Sequence, residues 1–266
     1  MSIPSTYSHY FIPKGEGIDS LQLAKEVKTP KPGHGEVLVK IKAVSLNFRD
    51  VMAGVACLEV IGPYPGVIPN VIPCSDGAGE LVAIGEGVDT WEVGDRVMGQ
   101  FTQTLISGHY DSQVHFKSNL GAPRHGMLAE YRILPDYGLV RMPAHLSYEE
   151  ASTLPCAALT AWNALNGEFG NIQCQPGHTV VLQGTGGVSC FGAQFAVAQG
   201  AKAIITSSSD EKLAKVVDHV KSSRNQGGAG ELITHNYKKE PNWEETVLKE
   251  TDEGADHILE VGGAGT

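Results

Sequence analysis

The sequence predicts an α/β chain of two domains, a compact barrel of short strands followed by a parallel, doubly wound sheet. Three observations carry this. Thr179-Val180-Val181-Leu182 is a short, apolar, β-branched run of the kind buried on both faces of a parallel sheet. It breaks at Gly184 and Gly186 into a stretch where Val188, Phe191, Phe195 and Ala196 recur at helical spacing, with Gly200 just past the last turn. Upstream, glycines at 77, 79, 85, 87 and 94 lie between β-branched pieces, the pattern of small strands joined by tight turns.

In chain order, residues 1 to 34 hold leading strands around Tyr10-Phe11-Ile12 and Leu21-Gln22-Leu23, then a loop with Pro30, Pro32 and Gly33. From Glu36 to Ser45, Val37, Val39, Ile41 and Ala43 alternate with Leu38, Lys40, Lys42 and Val44, a strand with one wetter face. Leu46-Asn47-Phe48-Arg49-Asp50-Val51 starts a short helix, and Gly62, Pro63, Pro65, Gly66 and Pro69 make a loop. The polar segment from Gly99 to Gly126, with His109, His115 and His125, is a long excursion before strand patterns return at Met127 to Leu134 and Gly138 to Met142. Ser147 and Glu150 have capping-box spacing, so a linking helix starts there. The domain boundary falls near residue 150, giving domains of 1–150 and 151–266.

The glycine turn is where chemistry is expected. A strand, a glycine bend and a helix aim free backbone N–H groups and the positive end of the helix dipole at one spot, and the missing side chains let a pyrophosphate approach. Ser189 stands where a third glycine would serve helix–strand packing, so the motif alone also fits an ordinary glycine-rich turn. The next strand, Ala201 to Thr206, makes the unit βαβ and ends in Ser207-Ser208-Ser209-Asp210-Glu211-Lys212. An acid here would hold the ribose hydroxyls of NAD, whereas Ser207 and Ser208 leave room for a 2′-phosphate and Lys212 supplies positive charge. NADP is the cofactor expected. Asp210 and Glu211 lie close by, and the same run also reads as a plain helix cap.

Composition narrows the partners. A formal charge of −10 without clustered Lys and Arg argues against a nucleic-acid surface. No apolar run approaches the length that crosses a bilayer, and the first residues lack a secretory pattern, so a soluble cytoplasmic protein acting on a small molecule is expected. Cys57, Cys74, Cys156, Cys174 and Cys190 are far apart and read as reduced thiols.

Together, Leu46-Asn47-Phe48-Arg49-Asp50, the glycine-rich run from Ser75 to Val88, Val93-Gly94-Asp95-Arg96-Val97, Leu154-Pro155-Cys156-Ala157-Ala158-Leu159-Thr160-Ala161-Trp162 and Gly184-Thr185-Gly186-Gly187-Val188 resemble the medium-chain dehydrogenase/reductase superfamily, especially its zinc-free quinone oxidoreductase-like members. The resemblance implies a GroES-like β-barrel domain followed by a Rossmann domain, with NADPH and substrate in the cleft between them. It implies that Asn47 faces the nicotinamide and substrate and that Thr160 touches the cofactor. Gly184, Thr185, Gly186, Gly187 and Val188 would cradle the pyrophosphate; Ser207, Ser208 and Lys212 would hold the adenosine phosphate; and Tyr237 would lie near the adenosine. The plain alternatives are that Asn47 caps the following helix, Thr160 packs inside one, and Tyr237 is an ordinary end-of-strand aromatic.

In the zinc alcohol dehydrogenases of the superfamily, a cysteine, a histidine and a third cysteine or acid hold the catalytic metal. Here those positions match Asn47, Ser75 and Cys156, and no metal site is expected. The resemblance then implies hydride transfer between NADP(H) and a carbonyl, enone or quinone without zinc, with an alcohol dehydrogenase as a further reading. Glu231 to His235 and Asp256 to Val261 bring the strands of the second domain to four, after which the sequence stops at 262–266. Such domains carry about six strands, so an incomplete Rossmann sheet is expected. A truncated, inactive nucleotide-binding remnant is the second hypothesis, its exposed sheet edge open to another chain, as in a homodimer. The stretch 222–230 is an insertion relative to the family pattern.

Overall fold

The structure, a computed structural model, describes residues 2–13, 17–51, 67–167, 172–223, 230–251 and 253–262. Cys57, Tyr64, the loop at 62–66, the centre of the 222–230 stretch and the closing residues 263–266 lie outside them. The chain divides into two compact units, Met1–Cys156 and Ala157–Thr266.

In the first unit β1 (Thr6–Phe11) and β2 (Gln22–Lys28) form an antiparallel hairpin. β3 (Glu36–Ser45), β4 (Asp76–Ile84), β5 (Arg96–Gly99), β6 (Tyr131–Pro135) and β7 (Leu139–Arg141) form an antiparallel sheet in the order β6-β3-β4-β5-β7. The alternation along β3 works differently from the expected wet and dry faces. Val37 and Val39 pack with Leu81, Val97, Leu120 and Met127, while Leu38 on the opposite face is covered by Tyr7 and Tyr131. The hairpin closes over that face, so apolar residues are needed on both sides.

Gly77 and Gly79 also differ from expectation, lying inside one nine-residue strand rather than in turns. A Cβ on Gly79 would come within 2.3 Å of the Lys40 carbonyl oxygen, and one on Gly77 within 2.9 Å of Met127 Cβ. They are glycine because a neighbouring chain passes close by. The 99–126 excursion carries only α1 (Ser112–His115) and a 3-10 turn. His125 is part of its framework, Nδ1 accepting the Ile72 N–H at 3.1 Å. α2 (Tyr148–Ser152) begins at a complete capping box, Ser147 and Glu150 each satisfying the other's backbone N–H.

A π turn, Leu154–Ala158, leads to α3 (Leu159–Asn166). The second unit then runs β8 (Thr179–Gln183), α4 (Gly187–Ala198), β9 (Lys202–Ser207), α5 (Asp210–Ser223), β10 (Glu231–Asn236), α6 (Trp243–Glu250) and β11 (His257–Leu259). Its sheet is parallel, in the order β10-β9-β8-β11. Val180, Leu182 and Ile205 pack against Ala193, Ala196 and Val197 of α4 and Leu213 and Val216 of α5, while Val181 and Ile204 meet Val247 of α6 on the other face. Both faces are dry, which is why β8 and β9 read as unbroken apolar runs. β11 is an edge strand, and Ile258 is 56% exposed there.

Close contact between α4 and the sheet comes from Gly192, where a Cβ would lie 2.7 Å from Leu182 Cδ2. Ser189, at the third-glycine position, is buried and donates its hydroxyl to the Gln183 carbonyl at 2.9 Å. Gly192→Val is expected to overpack this contact and destabilise the protein by about 1–3 kcal/mol, measurable as a lower urea midpoint; an unchanged midpoint would mean that α4 sits further from β8.

Candidate functional site

Among the described residues each unit holds a cluster of chemically equipped side chains or backbone groups at a sequence-predicted site. In the second unit the bend after β8 is open. Gly184 has φ +78°, a conformation that favours glycine, and a Cβ on either Gly184 or Gly186 would meet no atom within 4 Å. Gly186 precedes α4 with φ −77° and ψ 175°, and no side chain caps the helix there. The first-turn N–H groups of α4 are thus left for an outside acceptor, beside the positive end of the helix dipole. Thr185 is half-buried, Gly186 and Gly187 are exposed, and Val188 packs against the core. These residues form a cradle that a diphosphate could fill.

At the end of β9, Ser207 is buried and its Oγ accepts the Ser209 N–H at 3.3 Å. Ser208 is half-buried, and Ser209 Oγ accepts the Lys212 N–H at 3.4 Å, the capping bond at the start of α5. Both neighbouring acids are engaged. Asp210 accepts from Asn236 Nδ2 at 2.6 Å and pairs with Lys239 Nζ at 2.5 Å, which holds its carboxyl below the usual range, Asn236 contributing most. Glu211 pairs with Lys215 at 2.7 Å. Lys212 is exposed and, among the described residues, in no ion pair. Tyr237, just past β10, donates its N–H to the Ser207 carbonyl at 3.1 Å, which brings it to the same end of the sheet. Thr160 is exposed on α3, and Ala157, just before that helix, lies against the start of α4, since a Cβ on Gly187 would meet Ala157 Cβ at 3.2 Å.

The first-unit cluster surrounds Asn47. Its backbone N–H donates to Asp50 Oδ2 at 2.8 Å at the head of the helical turn 48–51. The Asp50 side chain thus satisfies the N–H that leads into this turn. Leu46 and Phe48 flank Asn47 and are 77% and 76% exposed. Arg49 Nη1 lies 3.2 Å from Asp50 Oδ1, and its guanidinium stands 4.9 Å above the Phe101 ring.

Asp76 is fully buried at the start of β4. Its Oδ1 accepts the Ser75 hydroxyl at 2.5 Å and its Oδ2 the Cys156 N–H at 3.0 Å. Burial raises its carboxyl to about 6, against the lowering effects of Ser75, Asn47 and Cys156, with nearby Asp50 pushing it further up. The Asn47 amide thus lies close enough to temper Asp76, yet Nδ2 is buried and falls short of a full hydrogen bond. Burial also raises Asp50, tempered first by the Asn47 N–H and then by Arg49. Cys74 has φ +69°, a strained value for a non-glycine residue. Burial first, and then the carboxylates, push the Cys74 and Cys156 thiols up to about 12, so both stay protonated.

Sequence reasoning named Asn47 as a candidate and did not name Asp50, Cys74 and Asp76, which the fold groups with it. The available signal was acid in apolar surroundings, Asp76 preceding Gly77-Ala78-Gly79. Among the described residues no group of three or more His, Cys, Asp or Glu side chains is arranged to hold a metal ion.

A strand-rich N-terminal unit with a polar cluster, followed by a parallel four-stranded sheet with an open glycine bend, is the class of chain that joins a GroES-like domain to a Rossmann-type sheet. The chain belongs to the medium-chain dehydrogenase/reductase superfamily. Residues 33–144 match the alcohol dehydrogenase GroES-like domain. A zinc-type alcohol dehydrogenase-like protein of Schizosaccharomyces pombe is 43% identical over 94% of this chain and 68% of its own length. A putative alcohol dehydrogenase from Sinorhizobium meliloti superposes with a TM-score of 0.80 at 35% identity, covering 99% of this chain and 72% of that one. A quinone oxidoreductase of Pseudomonas syringae gives 0.69 at 28% identity, covering 92% and 63%. The first three curated relatives are spanned over 68%, 60% and 55% of their length.

Proposed function

We propose that this protein is an NADP(H)-dependent oxidoreductase that transfers hydride to or from a carbonyl, enone or quinone without catalytic zinc. The observation that carries this reading is the uncapped start of α4 beside Gly184 and Gly186, where added side chains would enter open space. Backbone amides there would hold the diphosphate. NADP over NAD is supported by the pairing of Asp210 and Glu211 with Lys239 and Lys215, while Lys212, in the first turn of α5 after Ser207 and Ser208, is in no ion pair among the described residues. An acid locked to a lysine is a poor acceptor for ribose hydroxyls, and a free lysine suits a phosphate. Tyr237 would rest near the adenosine and Thr160 would touch the cofactor.

The nicotinamide, when bound, supplies or takes up the hydride. The chain's own part is to orient it, with Asn47 as the polar group at the reacting end and Leu46 and Phe48 as an apolar rim that limits water. Zinc-free chemistry is supported by the donor set at the first two zinc-ligand positions: an amide at Asn47 and a Ser75 hydroxyl already given to Asp76. These are poor zinc ligands. A second reading, a nucleotide binder without turnover, draws on the exposed edge strand β11.

Purified protein with NADPH and 2-cyclohexenone tests both. Oxidation of NADPH without bound zinc supports the enzyme; binding of 2′,5′-ADP with no turnover supports the binder; and zinc required for turnover overturns the zinc-free mechanism. Lys212→Ala is expected to weaken NADPH roughly tenfold while leaving NADH unchanged; equal loss for both would remove Lys212 from the phosphate site.

A further inference from the structure

We propose that Asp76 is a positioning residue that sets which way round the side-chain amide of Asn47 stands, its NH2 turned inward and its carbonyl oxygen offered outward to a bound ligand. This rests on Asn47 being the polar group at the reacting end. Asp76 cannot readily turn. It is fully buried, and its two oxygens are held from two directions, by the Ser75 hydroxyl at 2.5 Å and by the Cys156 N–H at 3.0 Å. The main chain of Asn47 is equally fixed, its N–H bound to Asp50 Oδ2 at 2.8 Å. What stays free is the amide's orientation.

Two observations decide it. The amide nitrogen is buried and makes no full hydrogen bond, and the pairing of Ser45 with Asp76 across β3 and β4 brings Asn47, two residues on, near enough for its amide to stabilise the ionised carboxyl. An amide placed the other way would set a carbonyl oxygen against a carboxylate, replacing a charge-assisted attraction with a repulsion. Because the inner end of the amide and Asp76 are both buried, solvent cannot relieve that repulsion.

The consequence is a polarity. Asn47 Oδ1 is an acceptor, suited to a ligand that brings a donor, either the carboxamide N–H of a nicotinamide or a hydroxyl of the substrate. It is unsuited to stabilising an oxyanion, so that task falls to other groups.

The test uses the full chain labelled with 15N, the Asn47 NH2 signal being identified by its loss in Asn47→Ala. In the parent that NH2 is expected to exchange slowly with water. In Asp76→Ala, and in Asp76→Asn where the shape is kept and the charge removed, exchange is expected to be roughly tenfold faster or more. Fast exchange in the parent, or protection that survives in a folded Asp76→Asn protein, overturns the proposal. This readout needs no turnover and stands even if the protein reduces nothing.

Where turnover is found, Asp76→Asn is expected to lower kcat roughly ten- to hundredfold with the KM for NADPH little changed. The 3-acetylpyridine analogue of NADPH, which lacks the carboxamide N–H, separates the two donors. An Asn47→Ala penalty seen with NADPH and absent with the analogue assigns the donor to the cofactor. A penalty with both assigns it to the substrate, and a penalty with neither overturns the acceptor role.

Discussion

The Gly186→Val variant is expected to fold with a loss of at most about 1 kcal/mol, the cost of valine at a helix N-cap, and to bind NADPH at least about a hundredfold more weakly. The structure separates the two effects at this position. Gly186 has φ −77° and ψ 175°, which any residue adopts, and a Cβ there meets no protein atom within 4 Å. The valine would occupy only the space in which a diphosphate would approach the N–H groups of α4. Losing one or two hydrogen bonds to a charged ligand, each worth about 1.5–3 kcal/mol, accounts for the size of the effect. Neighbouring glycines are poorer tests. Gly184 has φ +78° and Gly192 touches Leu182, so substitution at either would disturb folding as well as binding. A fluorescence titration with NADPH alongside a thermal melt is the measurement. Unchanged affinity in a variant with an unchanged melting temperature would show that the bend is not the nucleotide site.

The second large effect is one of stability. Asp76→Asn is expected to make the protein more stable than the parent above about pH 6, by at most about 3 kcal/mol, with the advantage fading as the pH falls towards 4. The sign follows from the direction of the shift. The Asp76 carboxyl rises from 3.8 to about 6 on folding, chiefly through burial. Between those values the folded protein keeps a proton that the unfolded chain has lost, so the parent loses stability as pH rises through this window and stays at the lower level above it. A neutral amide avoids that penalty and can still accept the Cys156 N–H, although its fit to the Ser75 hydroxyl differs, which makes the figure an upper bound. Urea unfolding at several pH values measures it. A variant less stable than the parent at neutral pH would show that the hydrogen bonds to Asp76 outweigh the burial of its charge.

The parts of this protein that were legible in its sequence are those governed by neighbours along the chain. The strand from Thr179, the bend at Gly184, the helix ending near Gly200 and the capping box at Ser147 all appear where their periodicity and cap chemistry place them. Backbone sterics, side-chain period and helix-end hydrogen bonding act over a few residues, so the chain itself determines them. Gly77 and Gly79 show the limit. A glycine reads alike whether it serves a turn or the close passage of another strand, and only the pairing of β4 with β3 decides between them.

The cluster around Asn47 includes a bond that spans 80 positions, from Cys156 to Asp76, and the pairing of Asp210 with Lys239 likewise depends on β10 lying beside β9. Charge, proton affinity and the direction an amide faces depend on burial and on which groups the fold brings within a few ångströms. The sequence therefore determined the α/β class and its local elements. The tertiary structure alone decided which acids are neutralised, which carboxylate holds its proton near pH 6, and which end of Asn47 lies inward, because each depends on contacts that exist only once the chain has folded.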